Sequence, residues 1–190
     1  MDFRLTSDVP VTYATTSSSL VNQVPVANKT KDLAILYIAS HCMPHRLNIV
    51  RELQQYLPVH SIGACLHNYD MPPDCPPTIP HYVANKCVMS KFLFTLGLEN
   101  AFEQDYVTEK LWHIWETGSV PIYWGAPTYQ DFMPGPHSLI SVTDFNSTKE
   151  LAAYLIKLRD NPDLYKQYFE WKKNPTLLKK YLERAALRKD

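Results

Sequence analysis

Apolar residues recur along this chain in two rhythms. An apolar run within 32–39 (Asp-Leu-Ala-Ile-Leu-Tyr-Ile-Ala) predicts a strand covered on both faces. Over 45–57 the rhythm becomes helical, with Ile49, Val50, Leu53, Tyr56 and Leu57 on one stripe that Pro58 ends. Residues 60–65 predict a second strand and 68–81 a proline-dense loop. Buried strands are predicted again over 91–98 and 120–124. Between them a helix is expected from Asp105 as N-cap, with Val107, Leu111, Ile114 and Trp115 inward and Gly118 at its end. Ser147-Thr-Lys-Glu150 is a capping box opening a helix with the stripe Leu151, Tyr154, Leu155 and Leu158. Residues 162–188 read as mostly helical with a break at Pro175. This alternation predicts an α/β fold built on a parallel sheet. The polar stretch 1–31 is expected to be an extended arm, 32–173 the domain, and 174–190 a helical tail.

Composition narrows the function. Nineteen Lys+Arg balance nineteen Asp+Glu in 190 residues, which gives no basic face for nucleic acid or an anionic membrane. The longest apolar run, 33–39, is far short of the roughly 18–20 residues that span a bilayer. Only 5 glycines are present, and no two form a GxGxxG or Walker loop. A bound phosphate would therefore need helix ends and basic side chains. Cys42, Cys65, Cys75 and Cys87 lack CxxC spacing, which disfavours a zinc knuckle and leaves disulfides and buried thiols both open. The seven histidines show no metal-ligand spacing. Asn28-Lys-Thr30 and Asn146-Ser-Thr148 match the N-glycosylation pattern.

In an open parallel sheet, ligands sit beyond the carboxyl ends of the strands. Two polar loops leave the strands there: Ser40-His-Cys-Met-Pro-His-Arg46 and Glu99-Asn-Ala-Phe-Glu-Gln-Asp-Tyr-Val-Thr-Glu-Lys110. Both feed helices whose free N–H groups attract anions, and Arg46 and Lys110 would add full charges at that rim. Taken singly, such cations are ordinarily solvated, Glu99 and Glu109 read as surface carboxylates, and Trp112, Trp115 and Trp124 read as core.

The run Leu98-Glu-Asn-Ala-Phe-Glu-Gln-Asp-Tyr-Val-Thr-Glu-Lys-Leu-Trp112, followed by Gly118-Ser-Val-Pro-Ile-Tyr-Trp-Gly-Ala-Pro127, resembles the donor-binding signature of the α1,3/4-fucosyltransferase family. Residues 3–13, Ser40-His-Cys…Arg46 and Ile62-Gly-Ala-Cys65 are similar to further elements of that family. Leu98, His41 and Ser90 depart from it, where Phe, Asn and Tyr are usual.

The resemblance implies the C-terminal, Rossmann-like donor half of a GT-B glycosyltransferase that binds GDP-fucose and inverts the sugar C1. The general base, the acceptor-binding half, the stem and the membrane anchor would all lie outside these residues, so a fragment or truncated product is expected. By matched motif, Arg46 and Lys110 would clamp the diphosphate and Glu109 would accept from sugar hydroxyls. Asn100 and Tyr106 would orient the nucleotide sugar, while Ser40 and His41 would line the nucleotide pocket. No metal is required on this reading, with a divalent cation left open as a stimulant. The implied acceptor is a glycan or glycoprotein, and the implied location is the lumenal side of the Golgi or the endoplasmic reticulum. Val50-Arg-Glu-Leu53 and Tyr168-Phe-Glu-Trp-Lys172 look like the protein-fucosylating branch, whereas Gly125-Ala-Pro…Gln-Asp-Phe132 looks like the N-glycan-core branch. The alternatives are a non-catalytic nucleotide-binding fragment and a GT-B enzyme using another nucleotide sugar.

Overall fold

In the computed structural model, residues 35–185 are described apart from Pro77 and Ile79, together with Lys29. Most of the expected arm, with Asn28, lies outside the described residues. Five parallel strands form one sheet in the order β2-β1-β3-β4-β5: Ile35–Ile38, Val59–Ile62, Phe94–Leu98, Val120–Trp124 and Ile140–Ser141 in chain order. The helices are α1 (Pro44–Leu53), α2 (His81–Met89), α3 (Glu109–Trp115), α4 (Thr148–Asp160), α5 (Pro162–Lys166) and α6 (Pro175–Ala185). The expected α/β architecture is present.

Side-chain alternation divides the strands between two faces. Ile35, Tyr37, Phe94, Leu96, Leu98, Val120 and Ile122 pack beneath Val50 and Leu53 of α1 and Leu151, Leu155 and Leu158 of α4. On the other face, Leu36 packs with Val88 and Met89 of α2 and Ile114 of α3. All five β3 residues are buried, as expected of a central strand. Ser147 Oγ accepts from the Glu150 N–H at 3.2 Å and caps α4.

Several elements differ from expectation. Residues 81–89 form α2, which no pattern above predicted; Pro80 precedes it, and its buried side is only Ala84, Val88 and Met89. The helix expected with Asp105 as N-cap begins three residues later, with Thr108 in that place. Asp105 itself has φ 61° and exchanges hydrogen bonds with the Thr128 hydroxyl, so it turns the loop instead of capping the helix. The tail is tied into the domain, because buried Tyr181 of α6 meets Trp112, Trp115 and Trp171.

The cysteines form two disulfides, Cys42–Cys65 and Cys75–Cys87. The first ties the loop after β1 to the segment after β2, and the second ties the proline-dense loop to α2.

Buried Lys29 donates to the carbonyls of Ser90 and Phe92 just before β3, while Lys172 donates to the Trp115 carbonyl at the end of α3. Burial, with Lys172 nearby, lowers the Lys29 pKa to about 7. Burial likewise lowers Lys172 to about 7, although Glu116 opposes it. Both amines regain an ordinary pKa near 10.5 on unfolding, so the unfolded chain binds more protons between pH 7 and that value. Stability therefore rises with pH across this window. Urea unfolding at pH 9 against pH 7 should show a gain of about 1–2 kcal/mol per lysine, and a loss would contradict the assignment.

Candidate functional site

The chain order places the crevice. From β1 the sheet grows to β2 on one side, and from β3 it grows to β4 and β5 on the other, so β1 and β3 flank a topological switch point. Their exit loops meet there, and the sequence-predicted residues lie on those loops and on the helices they feed.

On the β1 side, the loop from Ala39 to Met43 carries Ser40 and His41. It is held by the Cys42–Cys65 bridge and by the Cys65 N–H donating to Ala39 O at 3.0 Å. Gly63 lies against it with φ +95°, where a Cβ would stand 2.5 Å from Ala39 O, so only glycine fits. Pro44 opens α1, and its first turn carries Arg46 inward with 2% exposure. The Arg46 guanidinium lies 5.6 Å from the Tyr37 ring centroid and donates from Nη1 to Asn100 Oδ1. Its Nε is buried with no protein partner.

On the β3 side, Glu99 is fully buried, contrary to the surface carboxylate expected. It accepts from the Thr108 N–H at 2.8 Å and the Thr108 hydroxyl at 2.7 Å, and its Oε2 lies 3.3 Å from Lys110 Nζ. Thr108 is the N-cap residue of α3, but its hydroxyl serves Glu99 and also accepts from Lys110 at 2.8 Å. Burial raises the Glu99 pKa against the pull of Lys110 and Thr108. Burial works against the Lys110 ammonium too, yet Glu99 and Glu109 outweigh it and hold its pKa above the lysine value. Glu109 Oε1 is 3.3 Å from Lys110 Nζ, and its side chain is about half-exposed.

These parts enclose a hollow of about 340 Å³ lined by Ser40, His41, Arg46, Asn100, Glu109 and Lys110, with Asn85 and Met89 from α2 and His113 from α3. Arg46 and Lys110 thus reach one cavity from helices on opposite faces of the sheet. Tyr106 is not among its lining residues; it sits in the loop before α3, half-buried, near the Tyr123 phenol. Trp124 is core only in part, since one end of it carries the His45 and Phe102 rings at 4.6 and 5.5 Å. Among the described residues, no three His, Cys, Asp or Glu side chains are grouped to hold a metal ion.

Sequence reasoning missed Asn85 and Thr108 altogether and misread Glu99. One signal for Glu99 was available. Gly125 follows β4, and a Cβ there would lie 2.5 Å from Glu99 Cγ and 2.5 Å from the Tyr123 hydroxyl. A glycine at a strand exit marks close approach by something, here the buried carboxylate.

Comparison with known proteins gives the family and the fold. The sequence profile described as glycosyltransferase family 10 (fucosyltransferase) C-term matches residues 26–188. This chain belongs to glycosyltransferase family 10. It is 36% identical over 187 residues to an alpha-(1,4)-fucosyltransferase of Arabidopsis thaliana, covering 91% of the chain and 46% of that relative. It is 40% identical over 156 residues to GDP-fucose protein O-fucosyltransferase 3 of Xenopus laevis, covering 80% and 33%. The chain therefore spans less than half the length of these family 10 relatives. A crystal structure of an alpha1,3-fucosyltransferase with GDP-fucose shares the fold at TM-score 0.64 and 21% identity, over 87% of this chain and 52% of that one.

The packing around Gly125 gives a direct test. Gly125→Ala should push Glu99 off Thr108 and lower the thermal midpoint by several degrees, as a core clash of about 1–3 kcal/mol would. Scanning calorimetry of the purified variant checks this, and an unchanged midpoint would show that the site tolerates the methyl group.

Proposed function

We propose that this chain is the donor-binding half of an inverting fucosyltransferase that transfers L-fucose from GDP-fucose to a glycan or glycoprotein acceptor. One observation supports it most: a guanidinium and an ammonium share a single hollow at the switch point of a parallel sheet. The family to which the chain belongs supplies the substrate class.

The chemistry follows from where charge develops. As the bond from fucose C1 to the diphosphate oxygen breaks, negative charge grows on the leaving phosphate and positive character grows at C1. Arg46, held by Tyr37 and Asn100, and Lys110, held by Glu99 and Thr108, stand at the hollow before that charge develops, which is how positioned donors lower such barriers. Lys110 would exchange its half-exposed partner Glu109 for phosphate oxygens, leaving Glu109 to accept from sugar hydroxyls. Two cations neutralise the diphosphate, so a divalent ion would serve only as a stimulant. The acceptor and the base that deprotonates it belong to the other half of the enzyme. We further propose a Golgi lumenal location, with two disulfides suited to an oxidising lumen.

GDP titration by calorimetry tests the reading. The chain should bind GDP, and Arg46→Ala or Lys110→Ala should each weaken binding at least tenfold, as expected for a charge-assisted contact of about 1.5–3 kcal/mol. In the full-length enzyme either change should lower transfer roughly 10²–10³-fold, by analogy with loss of one oxyanion donor. Transfer within twofold of wild type would refute the clamp. Preference for a UDP sugar would redirect the substrate assignment.

A further inference from the structure

The hollow described above takes no lining residue from the segment that joins β5 to α4. There, Asn146-Ser147-Thr148 carries the N-glycosylation pattern, and Asn146 is exposed just ahead of the α4 cap. We infer that Asn146 bears an N-linked glycan, attached before α4 folds. The inference rests on the lumenal reading above but not on fucosyl transfer.

Space and bonding permit the modification. The Asn146 N–H and Nδ2 donate to the exposed Glu150 carboxylate at 3.1 and 3.3 Å. A glycosylated amide keeps one N–H, so the bond to Glu150 survives. Neither Asn146 nor a sequence neighbour of it is among the residues lining the donor hollow.

The timing comes from the folded geometry. Ser147 Oγ caps α4, and the Thr148 hydroxyl donates to Glu52, 96 residues away in sequence on α1. The modifying enzyme must engage both the asparagine amide and the threonine hydroxyl. In the folded protein the hydroxyl is committed to Glu52 and the backbone has entered a helix. Attachment therefore belongs to the nascent chain. The donor is a lipid-diphosphate-linked oligosaccharide: Asn146 Nδ2 bonds to its sugar C1, the C1–O bond breaks, the lipid diphosphate leaves and the amide loses one proton. Two disulfides point to folding in the compartment where that donor acts.

The full-length protein, isolated from cultured eukaryotic cells, is treated with peptide-N-glycosidase in heavy-oxygen water and the peptide containing position 146 is examined by mass spectrometry. Asn146 should be converted to heavy-labelled aspartate in most molecules. Asn146→Gln and Thr148→Ala should each remove one gel-mobility step, and Thr148→Ser should retain it. The refolded bacterial chain should stay unmodified when offered to the detergent-solubilised transferase together with its lipid-linked donor, while an unfolded peptide spanning position 146 should be modified. An unlabelled Asn146, or modification of the already folded chain, would overturn the proposal. Thiol alkylation of the same sample reports the compartment separately: Cys42, Cys65, Cys75 and Cys87 oxidised with Asn146 unlabelled would overturn the proposal alone, whereas free thiols would overturn the lumenal reading with it.

Discussion

A single buried carboxylate organises the carboxyl end of this sheet. Glu99 leaves β3 directly into the interior, where an uncompensated charge would cost several kcal/mol. Its compensation is local: both Thr108 donors and the Lys110 ammonium turn toward it. The loop between β3 and α3 must close so that Thr108 arrives at Glu99. That closure sets where α3 begins, and with it the position of Lys110 at the hollow. Gly125 completes the arrangement by leaving room for the Glu99 side chain against β4.

The opposite lip follows a different logic. Arg46 is brought inward by α1 and rests on Tyr37, a residue of the adjacent strand β1. Asn100, the neighbour of Glu99, accepts from it. The two lips are therefore connected through consecutive residues of one loop, Glu99 toward the ammonium and Asn100 toward the guanidinium. A rim that each helix would otherwise fill with a solvated cation becomes a paired site.

What the sequence made legible was mainly what local pattern controls. Val120–Trp124 was foreseen residue for residue, and Ser147 and Glu150 announced α4 through a capping box that the structure forms on the Ser147 side. The short helix α2 was hidden because three buried positions after a proline-rich loop give too little periodicity. The two-residue strand β5 was hidden because its pairing with β4 is non-local. Asp105 misled because the N-cap preference takes no account of distant partners; Thr128, in the loop after β4, claims its carboxylate. Of the candidate site residues, Arg46, Lys110, Glu109, Asn100, Ser40 and His41 converge on the hollow, whereas Tyr106 does not line it. Its motif spacing assumed a helix that starts only at Glu109.

The dependence of Lys110 on Glu99 can be measured by a double-mutant cycle in GDP binding, with Glu99→Gln, Lys110→Ala and the combined variant. If Glu99 acts by positioning the ammonium, Glu99→Gln should weaken GDP binding about tenfold alone and scarcely further once Lys110 is gone, a coupling of about 1.4 kcal/mol. Fully additive losses would mean that the two residues act separately, and would contradict the account.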